Sequence, residues 1–448
     1  MVPPGNQVTM MWQTLQSGTG PLKPMYEMLI GQDTFTGDWN DQGLATDWSM
    51  EPGAKAWNFN LRQGIPFHST DSWTGTEFTT ADIPGTIETL VREDSPGTAA
   101  VWTNRGAQKP ENFEIHDDYS FTWKLDAAEP LWEGYAASGW VAGMLSHEYM
   151  NAVGLDGYSD HPIGTGPYKF VNLEVDQGIL YERVDDHWRK TPEFSELVFL
   201  YVKEDSTRLA MQLAEESHIS DIPTVLIPET TARGHTVSIG TLPGYYLYIW
   251  IGGLYYGKPM EIRVGDKKGQ IREVAPGYTA DDPLRNVLVR KALNLSVDRQ
   301  LLNDTFWGGN AIPELIHNFP PTHPDFKHDD WKPYPYDPAE AKRLLAEAGY
   351  PEGFEFDFQT SVVSGVPEAP EVAEAVTAMW QDIGLKPNLQ PIQYSTMRKE
   401  MRARDVGRTV GTFRQGAGQG GIYTRGGLQY RIGPVAGGVG NGLWELEE

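Results

Sequence analysis

Residues 337–349 read DPAEAKRLLAEAG, and residues 354–358 read FEFDF. The first run carries helix punctuation: Asp337 as N-cap, Pro338 at the first helical position, Glu340 closing a capping box and Gly349 as terminator. The second alternates apolar and polar side chains, which predicts a half-buried strand. Downstream, Pro370, Val372, Val376 and Trp380 recur at helical spacing up to Gly384, and a strand is predicted over residues 387–392. Helix and strand joined by short connections are the α/β rhythm, a mixed sheet with helices packed on it.

The pattern extends outward. Residues 57–61, WNFNL, alternate like the later strand. Helices are predicted from Asp205 through Leu209 and Leu213, and from Asp282 and Pro283 through Val287, Val289, Ala292 and Leu293. Residues 236–257 carry little charge, but Gly240, Pro243, Gly244, Gly252 and Gly253 interrupt them, so buried strands are expected there rather than a membrane span. No internal repeat is apparent.

The 448 residues suffice for about three domains or lobes. The net charge of −25 disfavours nucleic acid, whose binders need a basic stripe, and anionic membrane surfaces. An aromatic content of 11% is that of a chain with a core. Zero Cys excludes thiolate metal sites, Cys nucleophiles and disulfides, and suits folding in an oxidising compartment. Met1–Gly5 opens no basic-then-apolar signal segment.

Few motifs carry chemistry. The glycines at 416, 418, 420 and 421 lack the strand, helix and Gly-Lys-Ser/Thr of a phosphate loop, and read as a flexible or pocket-lining loop. His317, His323 and His328 follow no helical or hairpin spacing, so no metal site is assigned. The pairs Asp185–Asp186 and Asp281–Asp282 read as turn and cap residues. No nucleophile elbow or His-Glu-x-x-His helix occurs, so no catalytic residue is named. From Val406 to Trp444 there are four arginines and no Asp or Glu, an isolated positive segment.

Four ordered stretches together carry a resemblance. They are LATDW (44–48) with WNFNLRQGIPFH (57–68) and FTTAD (78–82); HPIGTGPYKF (161–170) with YER (181–183) and HW (187–188); VRKALNLSVDR (289–299); and YDPAEAKRLLAEAGY (336–350). Together they resemble the extracytoplasmic solute-binding proteins of ABC transporters, family five, whose best-known members bind peptides and nickel complexes. The motifs read as structural: Gly164 and Gly166 as a tight turn before Pro167, and Arg290 and Asp298 as sharing one helix face.

The resemblance implies an α/β fold, two-lobed and periplasmic binding protein-like (type II), with an extra domain inserted in the first lobe. Residues 1–29 and 161–244 are assigned to lobe I, 30–160 to the inserted domain and 245–448 to lobe II. The crossover is expected within residues 245–256, as a buried strand at 245–251 leaving through Gly252 and Gly253. Residues 8–12 read as the remnant of a first strand, and nothing after Arg404 resembles the family's return to lobe I, so the sequence reads as a fragment of a longer product. Peptide-binding members hold the ligand's ammonium with an aspartate where the acid-free segment lies here, so that role is not carried over.

The function implied is capture of a small solute or short peptide by hinge closure and delivery to ABC permease subunits, by a monomer outside the cytoplasmic membrane, without cofactor. An Asp/Glu acid–base hydrolase and a chaperone-like or receptor-presenting binding protein are the alternatives. Trp12, Tyr26, Trp250 and Tyr255 are expected to line the cleft. Arg414, Tyr423 and Arg425 are expected to meet an anionic or strongly accepting ligand group.

Overall fold

In Met1–Ile222, the first of two units in the computed structural model, the WNFNL alternation becomes a strand with Trp57, Phe59 and Leu61 buried and Asn60 exposed. The described residues are 8–13, 20–33, 38–92, 109–126, 128–130, 132–137, 143–238, 245–251, 260–261, 271–272, 282–313, 332–362, 366–393, 396–397 and 409–416. Short strands β1 (Gly31–Gln32) and β2 (Trp39–Asn40) pair with each other. An antiparallel sheet follows, built from β3 (Ala45–Met50), β4 (Ala56–Leu61), β5 (Phe113–Asp117) and β6 (Ser120–Lys124) in the order β3-β4-β6-β5.

Cross-strand aromatic pairing fixes this register, since Phe59 lies opposite Phe121 and their rings stack at 5.0 Å. Trp123 adds Trp132 edge-on at 4.9 Å. Helices Asp82–Leu90 and His147–Asp160 are joined through Asp82, whose carboxylate accepts from the N–H of Thr79 (2.9 Å) and of His147 (2.8 Å). A second antiparallel sheet, β7 (Tyr168–Glu174), β8 (Gly178–Arg183) and β9 (Glu196–Leu200), puts Ile179 and Tyr181 into the same core.

Residues 8–12 are not a strand. Met11–Gln13 form a 3-10 turn, held by the Gln13 N–H on the Met10 carbonyl at 3.1 Å. Met10 and Met11 are both buried there, so the apolar run fills core volume from a turn instead of alternating across a pleat.

The second unit is Pro223–Glu448. Its mixed sheet contains β10 (Tyr245–Ile251), β13 (Glu355–Thr360), β14 (Lys386–Pro391) and β15 (Thr409–Gly416) in the order β10-β15-β13-β14, with β10 antiparallel to β15 and the other pairs parallel. Two-residue strands β11 (Met260–Glu261) and β12 (Ile271–Arg272) pair apart from it. One sheet face buries Phe356 and Phe358 against Trp380 of helix Ala369–Asp382, with Phe358 and Trp380 centroids 4.9 Å apart. The α/β rhythm read around residue 337 is this layer.

Helix Pro338–Glu347 starts at Asp337, whose carboxylate accepts the Glu340 N–H at 2.9 Å, and ends before Gly349 at φ +93°. The reciprocal half of the capping box is absent. The Asp337 N–H donates instead to the Leu295 carbonyl at 2.7 Å, and Glu340 turns to Arg343. A tertiary acceptor has replaced the local one.

Two other helix readings are corrected. Asp282 caps only the 3-10 turn Pro283–Arg285, and the helix proper, Val287–Leu295, is capped by Asn286 on the Leu288 N–H at 2.9 Å. Arg290 and Asp298 do not share a helix face, because Asp298 caps the following helix, Arg299–Trp307, while Arg290 donates to the carbonyls of Leu284 (3.0 Å) and Arg285 (2.6 Å). No helix among the described residues is long and apolar enough to cross a membrane.

Candidate functional site

The GTGPY run packs directly on the backbone of Pro24 and Met25. The Gly166 N–H donates to Met25 O at 2.9 Å and the Tyr168 N–H to Pro24 O at 3.1 Å. A Cβ on Gly164 would fall 2.1 Å from Met25 O, and one on Gly166 2.4 Å from Pro24 O. Neither glycine has positive φ. Close approach of two backbones, not a tight turn, requires these glycines.

His68, from the FH end of the first motif, ties that motif to the second. Its N–H donates to Gly164 O at 2.9 Å, its Nδ1 accepts the Gly164 N–H at 3.3 Å and its Nε2 lies 2.8 Å from Gly166 O. With Nδ1 accepting, the proton sits on Nε2 and is donated to Gly166. The ring is neutral: burial, aided by the neighbouring His187 and Lys169, holds its pKa down to about 4. His187 repeats the arrangement, Nε2 at 3.1 Å from Thr165 O and Nδ1 accepting from the N–H of Arg189 (3.4 Å) and Lys190 (3.5 Å), and burial lowers its pKa too.

Beside them lies Glu27, 6% exposed. It accepts the Trp188 indole N–H at 2.8 Å and pairs with the Arg189 guanidinium at 3.0 Å. Burial pushes its carboxyl up to about 7, outweighing the opposing pull of Arg189, Trp188, Thr165 and Arg62. The guanidinium carbons of Arg62 and Arg189 lie 4.8 and 5.5 Å from the Trp188 ring centroid. The same arginines donate to the carbonyls of Asp41 (2.7 Å) and Gln42 (3.0 Å).

This cluster fastens the 41–42 and 187–190 segments to the core. Both imidazoles, the Trp188 indole N–H and the terminal nitrogens of Arg62 and Arg189 are engaged with protein, which suits holding a frame. Arg62 and Trp188 stand inside the quoted motifs, whereas nothing in the sequence around Glu27 marks a buried carboxylate. Among the described residues no group of three or more His, Asp or Glu could hold a metal ion. His317, His323 and His328 lie outside the described residues.

Of the residues expected to contact ligand, Trp12 and Tyr26 belong to the first unit. Trp12 is half-buried, with the Arg92 guanidinium carbon 5.1 Å from its ring centroid. Tyr26 is a core residue, 2% exposed, and its hydroxyl donates to Thr9 O at 3.2 Å, so it supports the turn that carries Trp12. Trp250 and Arg414 lie on paired strands of the second unit, Trp250 opposite Gly411 and Arg414 opposite Leu247. Tyr255, Tyr423, Arg425, and Gly252 and Gly253 lie outside the described residues. Residues 245–251 are a strand as read, buried at Tyr246, Trp250 and Ile251.

Residues 41–420 match the model of bacterial extracellular solute-binding proteins, family 5. The chain is 27% identical over 395 residues to heme-binding protein A of Haemophilus influenzae, and 26% identical over 380 residues to the dipeptide-binding protein of Escherichia coli. These alignments cover 83% and 81% of this chain, and in each case the chain spans 65% of the relative's length. The dipeptide-binding protein of Pseudoalteromonas in complex with Met-Leu superposes with a TM-score of 0.70 at 20% identity, covering 99% of this chain and 84% of that one. The fold is thus the two-lobed α/β fold of the periplasmic binding proteins.

Proposed function

The chain belongs to the bacterial extracellular solute-binding proteins, family 5, and we propose that it captures a small polar organic solute outside the cytoplasmic membrane and delivers it to the permease subunits of an ABC transporter. The observation that carries this reading is the family match over residues 41–420. The relatives' names supply the solute classes to try: heme, dipeptides and glutathione. Binding, with no bond made or broken, is the whole of the chemistry, in keeping with polar groups committed to the frame around Glu27 and His68.

In this proposal residues 1–29 with 161–244 and residues 245–448 act as the lobes, 30–160 as the inserted domain, and closure is driven by contacts made only in the closed state. Trp12, Trp250, Tyr255 and Tyr423 are the aromatic residues assigned to the solute in this reading. Arg414 and Arg425 supply forked donors to an anionic or accepting group. Tyr26 acts indirectly, by holding the Thr9–Gln13 turn.

Calorimetric titration with heme, dipeptides and glutathione, with native mass spectrometry of the purified protein, tests the reading. Saturable one-to-one binding without turnover is expected. Arg414→Ala should weaken it by about 2 kcal/mol or more, as for a charge-assisted contact. Turnover of a bound solute, or no binding to any class, would overturn it.

A further inference from the structure

Strands at the edges of the described sheets differ in how they are closed to further pairing. β5 carries a register shift between Ile115 and Asp117 and the side chains of Glu114, His116 and Asp117; β3 and β7 carry register shifts of their own, and β14 contains Pro387 and Pro391. Bulges, charges and prolines keep an edge from adding another strand. β9, which reads ELVFL and ends the order β7-β8-β9, has no register shift, no Pro and no Lys. Its edge is open.

The phase of the hydrogen bonds fixes which groups that edge offers. The Arg183 N–H donates to Ser195 O at 2.9 Å and the Tyr201 N–H to Gln177 O at 2.8 Å, so the odd-numbered residues of this run bond to β8. The N–H and C=O groups of Glu196, Val198 and Leu200 therefore point away from the sheet, without a partner among the described residues. Leu197 and Phe199 pack on the core, whereas Val198 is 48% exposed. Just before the strand, Phe194 is 73% exposed in a loop held by the Tyr168 hydroxyl on Phe194 O (3.3 Å) and by the Arg183 guanidinium on Glu193 O (3.5 Å). The ring is presented in a fixed place.

We propose that the β9 edge pairs with β9 of a second copy of this chain, antiparallel about a two-fold axis at Val198. That register uses every outward group of the strand: Val198 exchanges both bonds with Val198 of the second copy, and Glu196 exchanges both with Leu200. The two Glu196 carboxylates then stand about 14 Å apart by the rise of a strand, beyond a Debye length of about 8 Å, so like charges do not meet. Continued outward, the register sets Phe194 across from Val202 of the second copy, and the exposed Glu193 across from the exposed Lys203. Apolar meets apolar and acid meets base. A foreign strand would find the hydrogen bonds but not this match of its own side chains. The pairing departs from the monomer expected of the resemblance, and it does not depend on which solute is bound.

Sedimentation equilibrium of the whole chain, over a range of concentrations at low and at moderate salt, tests the pairing. A reversible dimer is expected, tighter at moderate salt because screening relieves the repulsion between two chains of net charge −25. Val198→Lys sets two ammonium groups on the axis, and Val198→Pro removes an outward N–H without touching a bond to β8. Each should weaken the dimer about ten-fold or more, with the fold checked by circular dichroism. Ile115→Lys, the same change of charge at a 44% exposed site on β5, should leave it unchanged. Glu193→Lys should weaken the dimer, and combining it with Lys203→Glu should restore it. A monomer at every concentration and salt overturns the proposal, as does a dimer indifferent to both folded Val198 variants, which would lie on another surface.

Discussion

His68 and Gly166 are 98 residues apart in sequence, and the imidazole Nε2–H donates to the glycine carbonyl at 2.8 Å in the buried core. Because Nδ1 accepts from Gly164, one ring satisfies both a donor and an acceptor of the facing segment. His68→Ala strands both backbone groups and should cost about 2–4 kcal/mol in urea unfolding. His68→Gln, which keeps a donor and an acceptor, should recover part of that loss. Equal stability of the alanine variant would mean that water replaces the ring without penalty.

Gly166→Ala should be costlier than Gly64→Ala, although Gly64 is the one with φ +75°. At Gly166 the new methyl meets main-chain oxygen at 2.4 Å, which can move only by parting two segments of the core. At Gly64 nothing lies within 4 Å, leaving only the left-handed backbone penalty of about 1–2 kcal/mol. Thermal melts of the two variants should rank in that order, and a reversal would show that the Pro24–Met25 segment yields easily.

Asp337→Ala should lower stability by about 1 kcal/mol through loss of the N-cap. Glu340→Ala should cost only a few tenths, since its exposed carboxylate serves Arg343 and not the Asp337 N–H. Comparable losses from both would restore the reciprocal capping box as the energetic reality.

These contrasts mark where the sequence is legible. The helix from Pro338, the Phe356 strand and the Tyr245–Ile251 strand could be read because each is decided by neighbours in sequence: periodicity, a cap, a terminator. The glycine run and His68 were recognisable as motifs, but their physical reason lay in Pro24 and Met25, distant in the chain. Glu27 was invisible, because burial of an isolated polar side chain is a property of the assembled core. The 8–12 run misled for the same reason: apolar residues in a turn and in a strand look alike when nothing alternates against them.

Glu27 and His68 make opposite demands on pH. Burial raises Glu27 from an ordinary 4.5 to about 7 in the folded chain, so its contribution is full below 4.5 and is lost as pH rises through 7. Burial depresses His68 from 6.5 to about 4, so its contribution is present above 6.5 and is lost as pH falls toward 4. Removing one should therefore unmask the other. In Glu27→Gln the unfolding free energy should climb with pH between 4.5 and 7 more steeply than in the parent. The gap between the two curves should change by at most about 3–4 kcal/mol across that window, since a tenfold change in proton affinity is worth about 1.4 kcal/mol. Loss of the Arg189 pair adds an offset to the variant, so the slope and not the absolute stability is the quantity to compare. Urea unfolding at half-unit pH steps measures it, and parallel curves for the two proteins would show that Glu27 titrates in the folded chain as it does in the unfolded one.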